Sequence, residues 1–390
     1  MKTVFTTVAL VVALALGLAA TLGPGLLEKS MNILLPQTDT PISEEATALH
    51  STLTIGDLHT DSTLWQRDLS QRSERGHVDL PRLREGNVAL QMFTSVTKSP
   101  AGQNYEKNST EARDNITLLA VLQRWPVRTW SNLTERALYQ AQRLQQLADE
   151  HPDELIVIKS QDDLEQVMAA RSRGSKAVGG LLGTEGSHAL EGELGSIDRL
   201  YDAGFRMMGL HHFFDNQLGG SLHGTSGAGL TDFGRSAVEA MEQRQIMIDV
   251  AHSSEAVVAD VLAMTERPLI VSHTGFKGHC DSPRNISDAL MQEIARAGGL
   301  IGVGYWDGAI CTPTAAGIVE AIRYGIALVG EDNIALGSDY DGTIAAPFDT
   351  SKLVQLTQQM LEQGMTEPQI RKVMGENMLR FLRENLPASN

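Results

Sequence analysis

The stretch Leu53-Thr54-Ile55-Gly56-Asp57-Leu58-His59-Thr60-Asp61 is a mainly apolar run, Leu53–Leu58, that ends on an imidazole and a carboxylate. Its apolar part is nearly continuous, not alternating, the pattern of a parallel strand covered on both faces. Seven similar runs follow: Val88–Phe93, Val178–Gly183, Arg206–His211, Ile246–Val250, Leu269–Ser272, Leu300–Tyr305 and Ile334–Ser338. Amphipathic segments separate them, among them Ser236–Arg244, Glu255–Met264, Ala289–Ala297, Ala315–Leu328 and Ser351–Gln363. Strand and helix alternating eight times predict an α/β fold closed into a (β/α)8 TIM barrel. The longest interval, between the second and third runs, predicts a helical insertion with helices over 111–125 and 135–150 and a short apolar piece at 155–159.

Six of the eight runs end on a residue with metal or proton-transfer chemistry. These are His59 and Asp61, Glu185, His211-His212, Asp249 and His252, His273, and Asp339 with Asp341. Barrel active sites are built from the C-terminal ends of the strands, so these side chains are expected at one mouth. His59 and Asp61, two apart on a strand, face the same way and offer an imidazole and a carboxylate to one ion. With Glu185, His252 and His273 they form a five-ligand N/O set suited to zinc or another transition metal. Five ligands exceed what one catalytic ion with an open position needs, so two metals are expected. Glu185, the only Glu of the set, is the natural bridge. Two such ions would share a water and bring its pKa to roughly 7.

Composition narrows the partners. The 390 residues hold 32 Lys+Arg against 48 Asp+Glu, a formal charge of −16 that argues against nucleic acid and anionic lipid surfaces. With 42 % hydrophobic and 21 % charged residues the chain is globular, not disordered. Its two cysteines, Cys280 and Cys311, exclude a Cys-rich zinc module.

The chain resembles the membrane (renal) dipeptidases, zinc peptidases of the amidohydrolase-like barrel type. The resemblance runs from about Ile55 to Leu386. It rests on Asp57-Leu58-His59-Thr60-Asp61, Glu185-Gly186-Ser187-His188, Asp249-Val250-Ala251-His252 and Ser272-His273 with Ser282-Pro283-Arg284-Asn285. Gly337-Ser338-Asp339-Tyr340-Asp341-Gly342 and Glu376-Asn377-Met378-Leu379-Arg380 complete it. It implies a binuclear-zinc barrel that hydrolyses dipeptides, in some members also β-lactam amides. His59 and Asp61 would ligate one zinc, His252 and His273 the other, with Glu185 and a water or hydroxide bridging. Asp339 would take the water's proton and pass it to the leaving amine. His212 would hold the carbonyl oxygen as it becomes an oxyanion, although the neighbouring His211 is a second candidate. Arg284 would grip the substrate's C-terminal carboxylate. The resemblance also pairs Cys280 with Cys311, and its members tend to form homodimers. The family usually carries threonine where this chain has His211, and Phe213–Ser221 is local to this branch, which leaves side-chain preference open. A second reading keeps the metals but changes the substrate to another amide, a lactone or an acyl-amino acid. A barrel that only binds is disfavoured by the intact ligand set.

The N-terminus sets the compartment. After Lys2 no charge occurs up to Leu27, and Val4–Leu22 is almost entirely apolar. Residues 1–27 therefore read as a transmembrane anchor or a signal peptide, residues 28–48 as a tether, and 49–390 as the catalytic barrel. The expected enzyme is exported and touches the membrane through its N-terminal segment only.

Overall fold

The computed structural model describes residues 22–36 and 41–388. Eight parallel strands form the barrel: β1 (Ile55–Thr60), β2 (Val88–Val96), β3 (Val178–Glu185), β4 (Phe205–Gly209), β5 (Met247–Asp249), β6 (Ile270–Thr274), β7 (Leu300–Val303) and β8 (Ile334–Leu336). Each pairs with its sequence neighbours, β8 pairs back onto β1 through Leu336 and Asp57, and the sheet closes. Every residue of these strands is buried, as the continuous apolar runs require. One apolar cluster takes a member from every strand, including Leu58, Met92, Leu181, Met207, Met247, Ile270, Leu300 and Ala335. Only the barrel interior can be shared by all eight, so this cluster fills it. Met378, Phe381 and Leu382 of the last helix, Asn377–Asn385, join the same cluster. A larger core packs the strands against the surrounding helices.

The predicted insertion lies between β2 and β3. It contains the helices Asn115–Leu122, Leu133–Glu150 and Gln161–Ser172 and the short strand Leu155–Val157, which pairs with the start of β3. The first helix is shorter than the 111–125 expected, because Asp114 caps its N-terminus by accepting from the Ile116 and Thr117 amides.

The described part of the stretch 28–48 does not behave as a free tether. Residues 22–31 are helical, and Glu28 is 1 % exposed, paired with Arg67 and with Arg75 at 2.6 Å. Ile33–Leu34 pairs in parallel with Ala345–Ala346, just beyond β8. Glu44–Thr52 is a helix capped by Ser43 and seated against Val354–Glu362. Buried charge pairing and strand addition outweigh the Pro and Ser content that suggested a linker. Residues 1–21 of the predicted anchor or signal lie outside the described residues. Among the described residues no helix is long and apolar enough to cross a membrane.

Candidate metal centre and active site

The C-terminal strand ends deliver the predicted side chains to one buried centre, with Glu185 at its middle. Its Oε1 lies 3.6 Å from His59 Nε2, 3.2 Å from His252 Nε2 and 3.3 Å from His273 Nε2. Its Oε2 lies 3.5 Å from His212 Nε2. Asp61 Oδ1 and Asp339 Oδ1 stand 3.6 and 3.9 Å from His59 Nε2. Two overlapping groups could each hold an ion: His59, Glu185, His273 and Asp339, and Glu185, His212 and His252, with ligand atoms within 4.8 Å of one another. Glu185 belongs to both.

The hydrogen bonds behind these ligands determine which nitrogen faces inward. Ser272 Oγ donates to Asp249 Oδ2 at 2.7 Å, which uses its only proton. Its lone pairs can then only accept, from His59 Nδ1 at 3.1 Å and His273 Nδ1 at 2.9 Å. Both rings are thereby held with Nδ1 protonated and Nε2 bare toward Glu185, the tautomer a metal ligand needs. His59 Nε2 and Glu185 Oε2 are buried without a hydrogen-bond partner, and His252 Nε2 and His273 Nε2 lie only 2.9 Å apart. Orphaned lone pairs crowded together in the interior are costly unless a cation joins them. The donor set of imidazole nitrogen and carboxylate oxygen fits a transition metal.

Electrostatics show negative charge crowded at the centre. Burial, then the charge of Asp61, pushes the Glu185 carboxyl well above its ordinary range. The same two causes, in that order, raise Asp339. Burial, followed by the nearby Arg284 charge for His252 and by His59 for His273, holds both rings neutral. For His59, burial opposes the charged form but Glu185 and Asp61 outweigh it, so its pKa rises.

The loop after β8 aims Asp339. Asp339, Asp341 and Thr343 all adopt left-handed φ of 59°, 64° and 65°, a conformation that non-glycine residues hold only when the surroundings enforce it. The enforcement is visible at Asp341, which accepts from Ser62 Oγ and from the His77 amide and pairs with Arg67. A Cβ at Gly342 would sit 2.0 Å from Asp339 Oδ1, so only glycine leaves that carboxylate its place.

His212, not His211, faces the centre; His211 Nδ1 instead meets Ser253 Oγ at 3.0 Å. His212 Nδ1 donates to the Lys98 carbonyl at 3.0 Å, and burial lowers its pKa to about 4. Arg284 is 1 % exposed; it donates to the Ala251 and His273 carbonyls at 3.0 and 2.8 Å and stacks 5.4 Å from Trp306. Two of its five N–H groups are thus committed to backbone, which fixes the fork. A disulfide joins Cys280 to Cys311, tying the loops after β6 and β7, and Asn285 clamps the same loops by donating to the Cys280 and Ala309 carbonyls. A cavity of about 690 Å³ reaches the centre and takes Asp61, Glu185, His212, His252, Arg284 and Asp339 into its lining.

The sequence marked Asp249 as a strand-end carboxylate without a specific role and did not single out Ser272, Tyr105 or Trp306. Tyr105, from the insertion, accepts from Trp306 Nε1 at 2.8 Å beside Arg284. Asp249 did carry a signal: it is a carboxylate ending a wholly buried strand.

Residues 43–390 match the family model of the membrane dipeptidases. The chain belongs to the membrane dipeptidase family. It is a metal-dependent hydrolase of the dipeptidase class, as the motifs implied. Curated relatives include mouse (Mus musculus) dipeptidase 3, 27 % identical over 380 residues covering 89 % of this chain and 67 % of that one. Dipeptidase ataJ of Aspergillus terreus is 25 % identical over 356 residues, 82 % of this chain and 80 % of its own. Among solved structures, a Rhodobacter sphaeroides metallopeptidase liganded with a phosphinate mimic of the dipeptide L-Ala-D-Ala superposes with a TM-score of 0.69. It is 23 % identical and covers 86 % of this chain and 99 % of its own, a likeness of fold.

Proposed function

We propose that this membrane dipeptidase family member cleaves dipeptides with a free C-terminal carboxylate, using two zinc ions that share Glu185. His59, Asp61, His252 and His273 would complete the metal ligation; the near contact of Asp339 and His212 with the same ligand atoms puts them within reach of the reacting groups. When bound, the ions supply Lewis acidity and an acidified water at neutral pH. The observation that carries the substrate assignment is Arg284: a buried guanidinium, fixed by two backbone carbonyls and 3.3 Å from His252 Nε2, on the wall of the same cavity as the metal ligands. A fixed fork of that kind matches a carboxylate bidentately. The dipeptide-mimic ligand of the Rhodobacter sphaeroides protein supports the same substrate class.

Asp339 would take a proton from the attacking water and return it to the leaving amine. His212 steadies the carbonyl oxygen. The Lys98 carbonyl holds the ring through Nδ1, which leaves Nε2 turned toward the centre. The apolar run ending near Leu27 and the Cys280–Cys311 disulfide support an exported enzyme held or released at a membrane.

Replacing Arg284 tests the reading. Arg284→Ala is expected to lower kcat/KM for a dipeptide about a hundredfold or more, the scale of truncating one partner of a buried charge pair. A dipeptide with an amidated C-terminus should lose far less. Retention within threefold on the best dipeptide would overturn the carboxylate assignment, and fewer than two bound transition-metal ions per chain would overturn the binuclear one.

A further inference from the structure

The cavity extends well past the metal centre, and its outer part is apolar. In the barrel's strand order, β2 lies four strands from β6 in either direction, so the loops after these strands face each other across the mouth. Arg284 stands in the loop after β6. On the β2 side the wall is made by Val96 at the strand end and by Ile116, Leu118, Leu119 and Leu122 of the insertion helix Asn115–Leu122. The N-terminal segment adds Leu27, Met31 and Ile33. This wall belongs to an apolar cluster separate from the two main cores, in which Leu64, Trp65, Val96, Ile116 and Leu119 pack with Leu27. Leu118, Met31 and Ile33 remain 51 %, 37 % and 44 % exposed, so large apolar surface faces the cavity mouth uncovered by other described residues.

The N-terminal segment is fixed there. Its Glu28 is paired to Arg67 and Arg75, Asn32 accepts from the Thr343 amide at 2.8 Å, and Ile33–Leu34 is strand-paired beyond β8.

We infer that the N-terminal segment and the insertion helix together form the subsite for the substrate's amino-side residue, and that this subsite selects a large apolar side chain. The inference rests on the proposed seating of the carboxylate at Arg284: a dipeptide held there, with its scissile bond at the metals, directs its amino-side residue toward β2. Discrimination by an apolar pocket is roughly 10- to 200-fold per methylene, so the preference is measurable.

The test compares kcat/KM for Gly-Ala, Leu-Ala and Phe-Ala, and for Ala-Gly and Ala-Leu, in the metal-loaded parent and in Met31→Ser and Leu118→Ser, whose partly exposed positions tolerate exchange. The parent is expected to favour Leu-Ala or Phe-Ala over Gly-Ala at least tenfold, and each variant to shrink that ratio by threefold or more. The Ala-Leu to Ala-Gly ratio should stay within twofold of the parent's in both variants. A parent ratio near one, ratios unmoved in both variants, or a shift confined to the carboxyl-side pair would overturn the subsite. Cleavage of none of the five dipeptides would instead overturn the proposed activity itself, whereas cleavage without amino-side preference sinks only the subsite.

Discussion

Ser272 is the smallest group on which the metal centre depends. Its hydroxyl is fully buried, donates to Asp249 and accepts from the Nδ1–H of both His59 and His273. Ser272→Ala removes the acceptor from two imidazoles at once. Each ring is then free to move its proton to Nε2, where Glu185 Oε1 waits 3.6 or 3.3 Å away, and a protonated Nε2 cannot ligate. Outer hydrogen bonds of this kind are worth about 10- to 100-fold in metal affinity, or roughly 1.4 to 2.7 kcal/mol at 1.4 kcal/mol per decade. Because one hydroxyl serves two ligands, the upper end is expected. Competition against a chromophoric chelator of known affinity measures the loss directly, and kcat at saturating metal should recover most of the parent value.

Asp249→Asn provides a sharper version. An amide can offer its own N–H to Ser272 Oγ, which turns the hydroxyl proton toward a histidine and disfavours the ligating tautomer. Its loss of metal affinity should therefore equal or exceed that of Ser272→Ala. Affinity unchanged within twofold in a folded Ser272→Ala protein would refute the tautomer argument, because among the described residues Ser272 Oγ is the hydrogen-bond partner of both Nδ1 atoms.

Three further outcomes follow from buried charge. His50, hydrogen-bonded to Thr357 at 2.8 Å, has its pKa lowered by burial to about 4. The unfolded chain thus takes up this proton first, and stability present above pH 6.5 is lost as the pH falls toward 4, by roughly 3 kcal/mol in all. Urea unfolding at pH 7 and 4.5 should show a clearly smaller pH effect in His50→Gln than in the parent. Glu28→Ala leaves the buried Arg67 with Asp341 as its remaining carboxylate, beside the Val78 carbonyl, and frees Arg75 from the N-terminal segment; a loss of about 3 kcal/mol is expected, with new proteolytic cleavage within 22–36, and a change below 0.5 kcal/mol would count against the docking. Stripping the metals should lower stability by about 4 kcal/mol for each ion held at a thousand times its Kd, read as a shift in thermal unfolding on chelation and its reversal on adding zinc.

The barrel was legible because parallel strands buried on both faces leave runs that no surface helix imitates, and all eight runs became strands. The convergence of the candidate ligands was legible because the barrel sends strand ends to one mouth. Thus His59, Glu185, His252 and His273 could be gathered from positions more than 200 residues apart. What stayed hidden was of two kinds. Ser272 and Tyr105 act through single hydroxyls whose partners are remote in sequence, and nothing local distinguishes such a hydroxyl from any other. The seating of residues 28–36 depends on Glu28 finding Arg67 and Arg75, pairings that composition cannot announce. Composition there suggested a linker, and tertiary pairing overrode it.

The centre's charge explains why such a cluster is kept. Asp61, Glu185 and Asp339 bring three carboxylates into a buried space where Arg284 is the only guanidinium lining the cavity. Ionised together they repel, which is why Glu185 and Asp339 both have raised pKa values with Asp61 among the causes. Hydrophobic side chains of similar volume would be the more stable filling; the strained φ of Asp339 adds to the cost. The two divalent cations of the proposed reading would reverse the sign of this field: three negative charges against one guanidinium would become a net positive site. That surplus would favour an anionic ligand, and the proposed fork of Arg284 would decide at which end of the cavity its carboxylate settles. On the proposed reading, the residues that make the apo fold costly are those that would orient a dipeptide, with the carboxylate toward β6 and its amino-side residue toward the wall that the N-terminal segment completes.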